Sequence, residues 1–197
     1  MTSILTSLKQ ATWPLHERLE RRLNLLSPRF SSTDYLRLIK SFWGYCRPLE
    51  TRLAQLHELP HWLPDIHLRA KSPLLEQDLQ VLWVAGDDLA QLPLCTDLPV
   101  CDNIAAALGC LYVMEGASLG GQVISRHLSQ TLGLDADNGA AFFNGYGEAT
   151  GEMWQSFRAS VLEAKADESI QIHSACETFL TLERWLLPPM LNADEIL

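Results

Sequence analysis

The sequence has almost nothing from which to build a sheet. No alternating strand pattern of useful length occurs in its 197 residues, which leaves helices as the material of the fold. Basic charge is also scarce. Fifteen Lys plus Arg stand against 24 Asp plus Glu, a formal net charge of −9, so non-specific nucleic-acid binding is not expected. Long apolar runs are missing too. The longest nearly uncharged stretch, Ile104–Ile124, has a continuous apolar core of only Ile104–Met114, too short to span a bilayer, and no membrane association is expected. The N-terminus lacks the charged start and apolar run of a signal peptide. Five cysteines (Cys46, Cys95, Cys101, Cys110, Cys176) form no C-x-x-C pair, and their odd number suggests free thiols in a reducing cytoplasm.

What is present reads as one all-α domain over residues 1–197, with about seven helices. Leu5, Leu8, Ala11, Leu15, Leu19 and Leu23 recur at helical steps, with a kink or fresh start expected near Trp13 because of Pro14. Ser32-Thr33-Asp34 offers caps for a second helix, bent by Pro48 and ending near Leu59-Pro60. A Pro-containing loop covers His57–Ser72, and Ser72-Pro73 starts a helix to about Val84. Asp102 is the expected cap of a long helix ending near Leu132-Gly133. A Gly- and Asn-rich loop, Asp135–Gly147, precedes two last helices, about Glu148–Ala166 and Ser169–Leu187. Charge is uneven along this series: residues 1–52 carry nine basic and four acidic side chains, residues 53–197 six and twenty. A basic first quarter on an acidic chain suggests a local anionic ligand or partner.

Two segments carry chemistry. In Leu111–Leu128, Gly116, Gly120 and Gly121 lie inside an otherwise good helical run, with Gly109 shortly before. Three interior glycines cost on the order of 3 kcal/mol against alanine, so something must offset them. Gly116 and Gly120 share a helix face, which admits either close helix packing or a flat ligand against the backbone. A phosphate loop does not fit, because no Gly-Lys-Ser/Thr follows. In the first helix His16 interrupts the leucine stripe, and Lys9, two turns earlier, shares its face. A lone histidine beside an apolar face is commonly a core residue, but a cation above an imidazole also suits a ligand with a metal and carboxylates.

Together these segments resemble the haem oxygenase family. Leu8-Lys9-Gln10-Ala11-Thr12 followed by His16 matches the pattern of that family's proximal helix, and Glu115-Gly116-Ala117-Ser118-Leu119-Gly120-Gly121-Gln122-Val123 that of its distal helix. The E-G-A-S-L-G-G form is most similar to bacterial members associated with bacteriophytochromes. The resemblance runs over about residues 5–187 and includes Arg158 and Phe179. It implies a haem-oxygenase-like bundle with haem between the first and the long distal helix. It also implies oxidative cleavage of haem to biliverdin, carbon monoxide and ferrous iron with O2. The electrons would come from an external ferredoxin or NAD(P)H reductase, and a bacteriophytochrome becomes a candidate partner.

Carried over by position, the resemblance makes His16 the ligand of the haem iron, with Glu20 at its other ring nitrogen. Lys9 and Arg158 would pair with propionates and Phe179 would pack at the haem's edge. Gly116, Gly120 and Gly121 would admit the macrocycle to the distal helix. Gly116 and Gly120 would steer the chemistry, with Ser118 and Gln122 as contacts for ordered water. The basic side chains Arg18, Arg21, Arg22 and Arg29 would dock an acidic electron donor, unless they are simply a solvated face. One departure stands out: many members carry an Asp after the first glycine of the distal motif, and here that residue is Ala117.

Other readings use the same fold differently. A haem carrier with little turnover fits the loss of the Asp. Thiamin-degrading or di-iron chemistry would need an activated cysteine or Glu-x-x-His repeats on facing helices, and no such set is present. His57, His61 and His67 read as surface residues rather than zinc ligands, His127 and His173 as polar-face residues. Glu115, a charge in an apolar stretch, faces either solvent or a polar network.

Overall fold

The computed structural model describes residues 3–82 and 89–187. Among these there is no strand. Six helices of eleven or more residues carry the fold: α1 (Ile4–Leu23), α2 (Ser32–Leu53), α4 (Ser72–Leu82), α5 (Ile104–Leu132), α7 (Thr150–Ala164) and α8 (Glu168–Leu186). Two single turns, α3 (Leu59–Trp62) and α6 (Ala141–Asn144), lie between them.

Local chemistry sets most of the boundaries. Ser31, one residue before the expected caps, begins α2 through a reciprocal capping box with Asp34, at 3.1 and 3.2 Å. Asn103 rather than Asp102 caps α5, accepting from the Ala106 N–H at 3.0 Å, while Asp102 accepts from the Asn103 side-chain amide at 2.9 Å. Gly133, at φ 68°, closes α5 in the left-handed conformation that glycine tolerates. Asp167 caps α8. The helix α1 runs unbroken through Pro14, so no fresh start occurs there. α2 ends at Leu53, short of the expected Leu59-Pro60, and the chain then turns through α3, with Pro60 in its first turn, where a missing N–H costs nothing. The expected end of α4 at Val84 falls outside the described residues.

Two caps come from distant side chains and could not be read locally. Glu50 of α2 accepts from the Ser72 N–H and hydroxyl at the start of α4. Asp78 of α4, wholly buried, accepts from the Ala141 and Phe142 N–H groups at 2.7 and 2.9 Å, holding α6 in place. Burial pushes the Asp78 carboxyl up to about 6, against the opposing pull of those two N–H donors.

Helix α5 is the axis of the bundle. It packs on α8, α7 and α6, while α8 also receives α1. By length and composition α5 could cross a membrane, but 61% of its most apolar window is buried, as in a core helix. The core runs from Leu8, Leu19 and Leu49 through Leu108 and Leu111 to Phe157, Ala175 and Leu182. A second group, Tyr35, Ile39, Leu75, Leu79, Leu128 and Phe143, lies under α2, α4 and α6. All five cysteines are free thiols.

Candidate functional site

The glycines of α5 divide into two pairs with different jobs. A Cβ at Gly109 would stand 2.3 Å from the Gln171 carbonyl oxygen, and one at Gly121 2.6 Å from that of Phe143. These two let α8 and α6 approach α5 closely. A Cβ at Gly116 would meet only the Trp154 ring, at 3.9 Å, and one at Gly120 would meet nothing within 4 Å. The packing reading therefore holds for Gly109 and Gly121, and an open face remains at Gly116 and Gly120. Gly121, expected at the ligand, is corrected: it lies about 100° round the helix from Gly120 and serves the α5–α6 contact.

Leu119 and Val123 continue the open face at helical spacing and are 43% and 52% exposed. With Gly120 exposed and Gly116 half-buried, these residues leave a strip of the central helix open and apolar. On α1, Lys9, Trp13, His16 and Glu20 form a comparable face. The Thr12 hydroxyl lies beside the Tyr112 phenol, so α1 and α5 touch there. His16 and Gly116 are each one turn beyond this contact. Tyr112 in turn meets the Trp154 ring at 5.6 Å between centroids, next to Gly116.

The His16 ring is held on two sides. Trp13 stacks on it at 5.6 Å and Phe179 of α8 meets it edge-on at 5.9 Å. Its Nε2 stands 3.5 Å from Glu20, and its Nδ1 is buried without a hydrogen-bond partner. The imidazole as a whole is half-exposed, so a metal could reach it at Nε2, where the Glu20 carboxylate stands beside it. Phe179, 8% exposed, packs against this ring from α8. Lys9 and Arg158 are exposed, and neither has an ion pair among the described residues. Arg158 lies close enough to Tyr112 to influence its phenol, so it is near the α1–α5 contact.

Ser118 and Gln122 do not join the open face. Ser118 is some 200° from Gly116 and approaches Lys71, with 3.4 Å between Nζ and Oγ. Gln122 donates to the Asn144 carbonyl at 2.7 Å. Ala117 is exposed and offers no polar group. The expected basic docking face is partly spent within the molecule: Arg18 pairs with Glu183 of α8 through Nε at 3.0 Å and through a second contact, and Arg22 with the same carboxylate at 2.9 Å. Burial alone would raise the Glu183 carboxyl, but these two guanidinium groups hold it below the usual carboxylate range.

Behind the glycines lies a buried charge cluster. Glu115, 2% exposed, accepts from Lys71 Nζ at 2.9 Å, from Tyr146 Oη at 2.7 Å and from Arg69 Nη1. Arg69 also grips Asp65 with two bonds, at 2.8 and 2.7 Å. Burial first, and then the Glu115 charge, push the Tyr146 phenol well up, so it stays protonated and donates. The odd charge of Glu115 was the only sequence signal for this cluster. Elsewhere, His57, His61, His67 and His173 are exposed, as expected. His127 is half-buried with Nε2 unpaired, not a plain polar-face residue. Among the described residues no group of His, Cys, Asp and Glu could by itself hold a metal ion. A separate hollow near Asp97, Val100, His173 and Thr181 offers neither an open glycine face nor an unpaired buried nitrogen.

Fold and site together define an all-α bundle whose central helix presents a glycine-lined apolar face close to a histidine-bearing first helix. The family model for haem oxygenase matches residues 2–187. The chain belongs to the haem oxygenase family and is an enzyme of that family, with haem as its substrate. No curated protein sequence matches it at a significant level. Among solved structures it is similar to the NO- and CO-bound haem oxygenase of Neisseria meningitidis (22% identity, TM-score 0.75, covering 98% of this chain and 96% of that one). Haem oxygenase from Leptospira interrogans gives 15% identity and a TM-score of 0.76 over 94% and 98% of the two chains. Haem oxygenase-1 of Synechocystis in complex with haem gives 14% and 0.72 over 94% and 91%. At such identities these likenesses establish the all-α haem oxygenase fold.

Proposed function

We propose that residues 1–197 act as one domain that binds haem between α1 and α5 and cleaves it to biliverdin, carbon monoxide and ferrous iron. The observation that carries this reading is a half-exposed His16 imidazole on α1 together with the open space in front of Gly120 on α5. The residues fit the group. A flat apolar macrocycle suits the exposed Trp13, Leu119 and Val123, and its carboxylates suit the unpaired cations Lys9 and Arg158.

When bound, haem supplies both the redox iron that activates O2 and the carbon skeleton that is oxidised. His16 would hold the iron through an imidazole nitrogen, with Glu20 beside the ring helping to orient it. Trp13 and Phe179 lock the imidazole plane. Gly116 and Gly120 would let the α5 backbone, with no side chain between, lie close against the flat group and crowd the space next to it. Electrons come from an external ferredoxin or NAD(P)H reductase. Arg21 and Arg29 have no ion pair among the described residues and support docking of an acidic donor. The E-G-A-S-L-G-G form supports supply of biliverdin to a bacteriophytochrome, and the five free thiols support a cytoplasmic setting.

Hemin added to the purified protein, followed by ascorbate in air, is expected to give a saturable one-to-one Soret band that decays into a biliverdin spectrum. A stable Soret band that no reductant or reductase converts would make the protein a haem carrier, the reading favoured by Ala117. Absence of any Soret band would end the haem reading.

A further inference from the structure

The open glycine face at Gly116 and Gly120 has to be held at one height and rotation for a flat ligand to lie against it. The buried cluster beside it is built for that task. Glu115 immediately precedes Gly116 on α5 and is tied to three other parts of the chain. Lys71 leads into α4, and its neighbour Ser72 is fastened to Glu50 of α2. Tyr146 belongs to the connection between α6 and α7. Arg69 continues to the Met153 carbonyl of α7 at 3.2 Å and to Asp65. Lys71 closes the ring by donating to Tyr146 Oη at 2.8 Å, its ammonium 4.3 Å from the ring centre, and it reaches Ser118 two residues beyond Gly116. The helix is thus gripped on both sides of Gly116, by charged bonds shielded from water, where such bonds are strongest. In front of the open face, a Cβ at Gly116 would meet only the Trp154 ring and one at Gly120 nothing within 4 Å.

We propose that Lys71 and Tyr146, acting through Glu115 and Ser118, are positioning residues that set where the glycine face of α5 stands against bound haem, and thereby which meso carbon is cleaved. This rests on the haem oxygenase reading for its chemical consequence, but its mechanical part does not. Neither side chain touches the open face. Their effect passes through the backbone of α5.

The test uses Lys71→Met and Tyr146→Phe in the full chain, the second removing a single hydroxyl and so the gentler for folding. In the ligand-free protein, amide hydrogen exchange over residues 113–121 should quicken roughly tenfold in Lys71→Met and less in Tyr146→Phe, with α1 unchanged. With hemin and reductant, the ratio of biliverdin isomers, separated by chromatography, should shift by roughly twofold or more from wild type. A lowered melting temperature with unchanged exchange in 113–121 and an unchanged isomer ratio would overturn the proposal, because that is what a merely stabilising cluster gives. Exchange that quickens while the isomer ratio stays fixed would overturn the claim on regiochemistry. If wild-type protein forms no biliverdin, the haem oxygenase reading fails, and the exchange comparison still decides whether these residues hold the helix.

Discussion

Gly120→Leu is expected to make the ligand-free protein more stable and much weaker in binding haem. Leucine is the better helix former by up to about 1 kcal/mol, and nothing lies within 4 Å of the new Cβ to oppose it. The same side chain then fills the space in front of the helix that a flat ligand needs. Overpacking of this kind costs about 1–3 kcal/mol, so hemin affinity should fall roughly tenfold to a hundredfold. Gly121→Ala supplies the contrast. Its Cβ would stand 2.6 Å from the Phe143 carbonyl oxygen, so it should lose about 1–3 kcal/mol in urea unfolding even without ligand. Opposite signs on stability at adjacent glycines are the signature of one face kept open and one face packed. A Gly120→Leu protein that takes up hemin normally would remove the distal helix from the site.

The second large effect is expected at Glu115. Glu115→Ala leaves Lys71 and Arg69, 4% and 2% exposed, without their shared carboxylate. Breaking a buried pair from one side costs about 3–5 kcal/mol, a large part of the 5–15 kcal/mol typical of a domain. The melting temperature should fall by roughly 10 °C. Removing Lys71 as well, as Glu115→Leu with Lys71→Met, should recover part of the loss, because Arg69 keeps Asp65 and no lone ammonium remains buried. Urea midpoints of the single and double variants measure the coupling. Additive losses would mean that Lys71 and Glu115 do not act as a pair.

Much of this was legible in the residues themselves. The leucine steps of α1, the glycine closing α5 and the prolines of the connections gave the helices, because these signals act within one turn; the cap of α5 was placed one residue early, at Asp102 instead of Asn103. The shared face of His16, Lys9 and Glu20 was likewise a matter of spacing. Spacing put Gly116 and Gly120 on one face but could not say which glycines face a neighbouring helix, because that depends on what packs against each one. The Glu115 cluster stayed hidden for the same reason. Its partners Arg69, Lys71 and Tyr146 lie 46, 44 and 31 residues away, in segments that read as loops. A buried charge announces that partners exist but not where. The tertiary caps from Glu50 and Asp78 belong to this class too, being local in space and remote in sequence.

The most direct measurement is a hemin titration of wild type beside His16→Ala, read by absorbance and by resonance Raman of the ferrous form. Wild type is expected to saturate at one equivalent with an iron–histidine stretching band. His16→Ala, with unchanged helical circular dichroism, should lose that band and regain it with added imidazole. An identical spectrum from both proteins would show that another residue holds the iron and that α1 does not form the proximal wall.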